Sequence, residues 1–187
     1  MDAFLTSAIT VALAEIGDKT QLLSLVLAAR FNKPWSIIAG ILLATLANHA
    51  ASAWLGTWLS QFLDSDYGNW IVGGSFIAVG LWLLIPDKED EVESYLDKYG
   101  AFVVSCILFF FAEIGDKTQI ATILLGAKFN ALFLVTMGTT LGMLLANVPV
   151  VFAGAALMKY IPLTLARRVA AAAFILTGLY SLWPVLS

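Results

Sequence analysis

The sequence predicts an all-α membrane protein with six transmembrane helices, arranged as two inverted three-helix repeats. Three observations support this prediction: an apolar composition, six apolar runs and an internal duplication. Of the 187 residues, 60% are hydrophobic and 12% are charged, whereas soluble domains average roughly 45–50% apolar and about 25% charged residues. The lipid bilayer is therefore the expected surrounding of this chain.

The apolar runs have the length of membrane-spanning helices, which need roughly 20 apolar residues each. Six runs reach or nearly reach this length: 4–29, 35–63, 70–85, 101–125, 131–158 and 169–186. They lack the period-two alternation of an outer-membrane barrel, which favours helices. The first run has neither a basic leader nor a small-x-small cleavage site, so we expect it to stay on the mature protein.

The duplication relates residues that stand 98 positions apart. AEIGDKTQ occupies 14–21 and again 112–119, and Phe31-Asn32 matches Phe129-Asn130 at the same offset. We therefore divide the chain into a first three-helix repeat (1–86), an acidic linker (87–98) and a second repeat (99–187). Three spans in each copy place the second copy upside down, as in many secondary transporters.

The basic residues predict the orientation, because cytoplasmic loops are enriched in Lys and Arg. One predicted side carries only Lys128, and the other carries Arg30, Lys33, Lys88, Lys98, Lys159, Arg167 and Arg168. Both termini should then face outward, with the linker in the cytoplasm. Outside short loops there is no basic stripe, so we expect no nucleic-acid partner.

The repeated motif places charges where lipid would disfavour them. On a continuous helix, Glu15, Asp18 and Lys19 fall within an arc of about 100°, as do their counterparts Glu113, Asp116 and Lys117. Near the bilayer centre, such charges cost at least ~2.5–3.5 kcal/mol each. These side chains therefore need one another or a ligand.

The inverted repeat could bring all four carboxylates around one cavity near the midplane. The predicted metal ligands are Glu15, Asp18, Glu113, Asp116, Gln21 and Gln119. Four carboxylates and two lysines leave a charge of −2, which suits one divalent cation or, after its release, two protons. The alternative is a salt-bridge staple, in which Glu15 or Asp18 pairs with Lys19 and only holds the helices together.

Other residues are candidates for supporting the site. Gly17 and Gly115 would allow close backbone approach or a loosened helix, and His49 is either a packed residue or a proton-handling one. Hydroxyls could act as ligands or bond backbone carbonyls. The supporting residues are Lys19, Lys117, Thr20, Thr118, Gly17 and Gly115, with Ser24 and Thr122 at the edge and Asn48, His49 and Asn147 as possible lining.

The predicted ligands are oxygen atoms, which suit Ca²⁺, Mn²⁺ and Mg²⁺, whereas Zn²⁺ or Cu⁺ would favour His and Cys. The chain has one His and one Cys. We predict no cofactor, with the divalent cation and protons as transported substrates. Clustered carboxylates in a low-dielectric cavity favour their protonated forms, so protons and metal should compete for the same oxygens.

Two E-x-G-D-K-T motifs, Glu15 to Thr20 and Glu113 to Thr118, stand in two three-helix halves around an acidic loop. This arrangement resembles a small cation/proton exchanger family that includes eukaryotic Golgi manganese and calcium transporters and bacterial manganese exporters. The resemblance covers nearly the whole chain. It implies that Glu15, Asp18, Glu113 and Asp116 bind the cation, and that Mn²⁺, with Ca²⁺ as the second possibility, is exchanged for protons.

The short chain is similar to the bacterial members, which implies a multi-pass inner-membrane protein that exports Mn²⁺ from the cytoplasm. Two alternatives remain from the sequence. One is exchange of Ca²⁺ or a broad range of divalent cations. The more remote one is an intramembrane hydrolase with an acid dyad, although an enzyme would have little use for two identical motif copies.

Overall fold

The computed structural model describes residues 2–62, 66–85, 99–153 and 163–186. Within these ranges the protein is built from eight α-helices and contains no strand, so the all-α prediction is confirmed. The helices are α1 (Asp2–Glu15), α2 (Lys19–Phe31), α3 (Pro34–Ser60), α4 (Asp66–Leu83), α5 (Gly100–Glu113), α6 (Lys117–Phe129), α7 (Leu132–Ala153) and α8 (Leu163–Leu186).

Two of the apolar runs are not single helices. The run 4–29 is divided into α1 and α2, and the run 101–125 into α5 and α6. The prediction of a continuous helix through each motif, with its acids and lysine on one arc, is therefore wrong. Gly17 and Gly115 explain the break, because their φ angles of 82° and 74° lie in the left-handed region that interrupts a right-handed helix and suits glycine.

The second helix of each pair begins with the same hydrogen bond. Gln21 Oε1 accepts a 2.8 Å bond from the Gly17 N–H, and Gln119 Oε1 accepts a 2.7 Å bond from the Gly115 N–H. The aspartate of each motif holds the N-cap position with extended backbone. This arrangement is close to a capping box, in which Glu or Gln stands three residues after the N-cap.

Asparagine ends both of these second helices. Asn32 and Asn130 follow α2 and α6 with φ angles of 50° and 45°, and their N–H groups donate to Ala28 O and Gly126 O. Asn tolerates this left-handed conformation better than most residues. The repeated Phe-Asn pair is thus a repeated helix stop.

Among the described residues, α3 and α7 are the two helices long and apolar enough on their own to cross a membrane. Shorter apolar helices occupy Gly68–Leu83, Gly100–Glu113 and Arg168–Trp183. The runs 35–63 and 131–158 correspond to α3 and α7, although residues 154–158 lie outside the described ranges, as does the linker 87–98.

Contacts between the repeats are reciprocal. Helix α1 packs against α7, and its counterpart α5 packs against α3. A Cβ added to Gly40 would lie 2.6 Å from Phe102 O, and a Cβ added to Gly138 would lie 2.5 Å from Phe4 O. Each residue of the second contact is the counterpart, 98 positions away, of a residue of the first. Each glycine therefore lets two backbones approach closely.

The remaining pair, α4 and α8, also packs together. Phe76 meets its own counterpart Phe174, with ring centroids 6.0 Å apart, and both side chains are buried. A residue that contacts its own counterpart lies on the local axis of a twofold arrangement. The hydrophobic core thus combines residues from both copies.

Candidate cation site

The two helix breaks bring three motif carboxylates together in the interior. Glu15 ends α1, Glu113 ends α5 and Asp116 precedes α6. One oxygen of each lies within 4.8 Å of the other two, and the three side chains are 0%, 0% and 4% exposed. Like charges away from water are costly unless a cation or protons compensate them.

Glu15 is held by two threonine hydroxyls. Thr20 donates to its Oε2 atom and Thr118 donates to its Oε1 atom. Both threonines are buried. Because Thr118 belongs to the second motif copy, its bond joins the two repeats at the site. Both hydroxyls, which the sequence offered as ligands or as donors to backbone carbonyls, thus bond a motif carboxylate in the structure.

Glu113 has a different environment from its counterpart. Within the described part of the chain, neither of its side-chain oxygens has a hydrogen-bond partner. The Nε2 atom of His49, from the middle of α3, lies 3.8 Å from Glu113 Oε2. His49 is fully buried, and the structure thus places this predicted lining residue directly beside a motif carboxylate.

The two motif lysines also differ. Lys19 Nζ lies 3.7 Å from Asp116 Oδ1, so it forms an ion pair between the copies. Lys117 Nζ donates a 2.8 Å bond to Ile85 O, two residues after α4, and lies 5.8 Å from the centroid of the Trp82 ring on α4. Lys19 therefore adds one positive charge to the carboxylate group, while Lys117 contacts α4.

The fourth motif carboxylate, Asp18, is buried at the start of α2 but lies outside the group of three. The predicted ligands Gln21 and Gln119 use their Oε1 atoms to accept bonds from Gly17 and Gly115. Gln21 is further anchored by a 2.9 Å bond to Ala146 O. Both glutamines thus brace the helix breaks.

The remaining predicted residues form hydrogen bonds within their own helix or to a neighbouring one. Asn147 accepts a 2.8 Å bond from Ser24 and donates a 3.1 Å bond to Met143 O. Asn48 donates a 3.0 Å bond to Phe110 O, and Thr122 bonds the carbonyl of Thr118 on its own helix. The bonds of Ser24 to Asn147 and of Asn48 to Phe110 O connect neighbouring helices, whereas the other two each lie within one helix.

Sequence reasoning missed that each motif is a helix start as well as a set of charges. The signal was present, because Gly-Asp followed by Gln three residues after the Asp is typical of a helix N-terminus. The break matters for chemistry, because it ends α1 and α5 at their glutamates. The C-terminal ends of α1 and α5 can then approach each other, whereas two continuous helices could contact each other only along their sides.

The local charge suits a divalent cation. Three formal negative charges from Glu15, Glu113 and Asp116 and one positive charge from Lys19 leave −2 at this group. Carboxylate oxygens are the ligands preferred by hard divalent cations. The arrangement therefore offers both the charge and the atoms for one such ion.

The chain was compared with known proteins. The family model described as "Divalent cation/proton antiporter GDT1" matches residues 3–91 and 101–187. No solved structure matches the chain.

Curated relatives agree with this match. A Vibrio cholerae protein named "Putative manganese exporter" is 56% identical over 180 residues, covering 96% of this chain and 90% of the relative. A GDT1-like protein of Synechocystis sp. is 30% identical over 82% of this chain and 84% of its own length. GDT1-like protein 5 of Arabidopsis thaliana is 26% identical over 97% of this chain and 96% of its own length.

The family consists of transporters, which excludes the acid-dyad hydrolase considered from the sequence. This chain belongs to the GDT1 family of divalent cation/proton antiporters.

Proposed function

We propose that this protein exports Mn²⁺ from the cytoplasm in exchange for protons. The observation that carries the proposal is the group of three buried carboxylates, Glu15, Glu113 and Asp116, contributed by both motif copies. In this proposal they bind the ion, and Asp18 adds a fourth carboxylate from the start of α2. Gln21 and Gln119 hold the helix breaks so that the carboxylates stay in position.

Oxygen ligands alone suit Mn²⁺, Ca²⁺ and Mg²⁺. The name of the Vibrio cholerae relative favours Mn²⁺ among them. Exchange of Ca²⁺, or of several divalent cations, is the second candidate, because carboxylates are also the usual ligands of Ca²⁺.

Proton exchange follows from the same oxygen atoms. A carboxylate must lose its proton to bind a metal ion, so metal binding releases protons and low pH weakens it. A site that binds Mn²⁺ when deprotonated on one side and takes up protons on the other would couple the two flows. No second proton pathway is required.

We also propose that α1–α2 and α5–α6 each form one broken span, giving six spans in two inverted repeats. The reciprocal contacts of Gly40 and Gly138 support this arrangement. Broken helices at the midplane are a feature of several inverted-repeat transporters. The basic loops favour outward termini and a cytoplasmic linker in the inner membrane.

The test is transport into inverted membrane vesicles. We expect Mn²⁺ uptake that is stimulated by an acidic vesicle interior, with weaker uptake of Ca²⁺ and Mg²⁺. Vesicles from cells without the protein give the background. Equal uptake with and without a pH gradient would contradict proton exchange, and faster Ca²⁺ uptake would favour the second candidate.

A further inference from the structure

His49 lies beside the carboxylates, and the nitrogen atoms of its ring make no hydrogen bond in the described part of the chain. Its imidazole is fully buried, and neither ring nitrogen has a hydrogen-bond partner within the described ranges. A buried polar group without a partner is costly and calls for an explanation. Binding of a ligand through a ring nitrogen would supply one.

The other repeat shows what a structural residue at this position does. Asn147 is the counterpart of His49, and it accepts a bond from Ser24 and donates one to Met143 O. On the His49 side, the counterpart of Ser24 is Thr122, which bonds the carbonyl of Thr118 instead. His49 therefore lacks the anchoring that Asn147 has.

The position of the ring suits a shared cation. His49 Nε2 lies 3.8 Å from Glu113 Oε2, which is too long for a hydrogen bond. Two atoms that bind one divalent ion at about 2.0–2.6 Å each are separated by roughly 3–4.5 Å. An ion between them would give both atoms a partner.

We infer that His49 is a nitrogen ligand of the transported ion and favours Mn²⁺ over Ca²⁺ and Mg²⁺. The inference rests on the proposed cation site of Glu15, Glu113 and Asp116. Ca²⁺ and Mg²⁺ take oxygen ligands. Mn²⁺ also prefers carboxylate oxygens, but as a first-row transition metal it accepts an imidazole nitrogen more readily than Ca²⁺ or Mg²⁺ does. One nitrogen among carboxylate oxygens would therefore favour the transition-metal ion.

The direct test uses the fact that the chain contains one histidine. Protein purified without a polyhistidine tag is loaded with Mn²⁺ and studied by pulsed electron paramagnetic resonance. We expect the spectrum to show a hyperfine coupling between the bound Mn²⁺ and one nitrogen nucleus. When only histidine is labelled with ¹⁵N, this coupling should change to that of a ¹⁵N nucleus. Because no other residue carries the label, the signal identifies His49 without any substitution.

The variant His49→Asn places the counterpart residue at this position. We expect it to lose the histidine coupling and to weaken Mn²⁺ binding by about tenfold or more, with Ca²⁺ binding changed by no more than about threefold. Thr45→Val is the matched control, because Thr45 is buried one turn earlier on α3. This control should keep both the coupling and the Mn²⁺ affinity.

The outcomes separate this inference from the proposed function. Mn²⁺ that binds through the carboxylates without histidine coupling would overturn the inference and leave the proposed function intact. An equal loss of Mn²⁺ and Ca²⁺ affinity in His49→Asn would overturn the selectivity. Absence of any Mn²⁺ binding that depends on Glu15 and Glu113 would overturn both.

Discussion

At the scale of residues, the two motif glutamates have the same neighbours in sequence and different neighbours in space. Glu15 accepts bonds from Thr20 and Thr118, whereas Glu113 faces His49. The copies also differ outside the motif, where His49 of one copy corresponds to Asn147 in the other. Two motifs of identical sequence can thus make different contacts within one site.

The first prediction concerns these glutamates. If both bind the ion, Glu15→Gln and Glu113→Gln should each abolish Mn²⁺ transport, because each removes a charge and a metal ligand from the buried group. Asp2→Asn is the matched control, since Asp2 is exposed at the start of α1. Transport is measured in vesicles at equal protein level. Near-normal transport by either glutamine variant would favour the salt-bridge staple.

The second prediction concerns the hydroxyl that joins the copies. Thr118→Val removes the donor to Glu15 Oε1, and loss of a group that orients a metal ligand typically costs about 10–100-fold in affinity. We expect Mn²⁺ affinity to fall by at least about tenfold. Thr122→Val, one turn later, removes only a bond to a helix carbonyl and should have little effect. Equal effects of the two variants would contradict the assigned role of Thr118.

At the scale of elements, glycines determine both where the helices break and how closely they pack. Gly17 and Gly115 adopt positive φ at the breaks, whereas Gly40 and Gly138 lie within helices against another backbone. The first pair exposes the ends of α1 and α5 to each other. The second pair fixes the contacts between repeats that hold those ends in place.

The third prediction tests this packing. A Cβ at Gly138 would lie 2.5 Å from Phe4 O, so Gly138→Ala must push α7 away from α1. Overpacking of this kind costs about 1–3 kcal/mol, and we expect a lower melting temperature in detergent. Gly74→Ala on α4 meets nothing within 4 Å and should be neutral or stabilising, because Ala favours helix. A melting temperature that is unchanged in Gly138→Ala would contradict the close contact.

At the scale of the whole molecule, the site exists only because two repeats meet. Glu15 comes from the first copy, and Glu113 and Asp116 come from the second. The Lys19–Asp116 pair also crosses between copies. In the proposed function, a movement of one repeat against the other would therefore change the ligands of the ion, as alternating access requires.

The fourth prediction concerns the coupling of metal and protons. If Mn²⁺ and protons compete for the same oxygens, as we propose, the apparent Mn²⁺ affinity should weaken as pH falls from about 8 to about 6. Adding Mn²⁺ to purified protein in weak buffer should release protons. Calorimetry in buffers of different ionisation enthalpy measures this release. A flat affinity without proton release would indicate a uniporter or a channel.

The fifth prediction concerns orientation. After Cys106, the one cysteine of the chain, is replaced by Ala, a cysteine placed in 87–98 should be protected from an impermeant thiol reagent in intact cells. A cysteine added after Ser187 should react, because the basic loops favour a cytoplasmic linker and outward termini. Labelling after cell lysis is the control for reactivity. The reverse pattern would invert the proposed direction of transport.

The sequence by itself determined the apolar helices, the duplication and the residue types of the site, because composition and repetition need no knowledge of contacts. It also contained the glycine and capping signals of the helix breaks, although the length of the apolar runs favoured continuous helices, because a three-residue break does not interrupt a long apolar run. These properties are local. They depend on each residue's own backbone preferences and its near neighbours in the chain.

Only the tertiary structure decided which carboxylates meet and what each one contacts. Thr118 reaches Glu15 across 103 positions, and Ser24 reaches Asn147 across 123. No local pattern encodes such contacts, because they arise when the packing of α1 on α7 and of α5 on α3 fixes distances between remote side chains. For the same reason Lys19 faces Asp116 while Lys117 contacts α4, although both lie in the same eight letters.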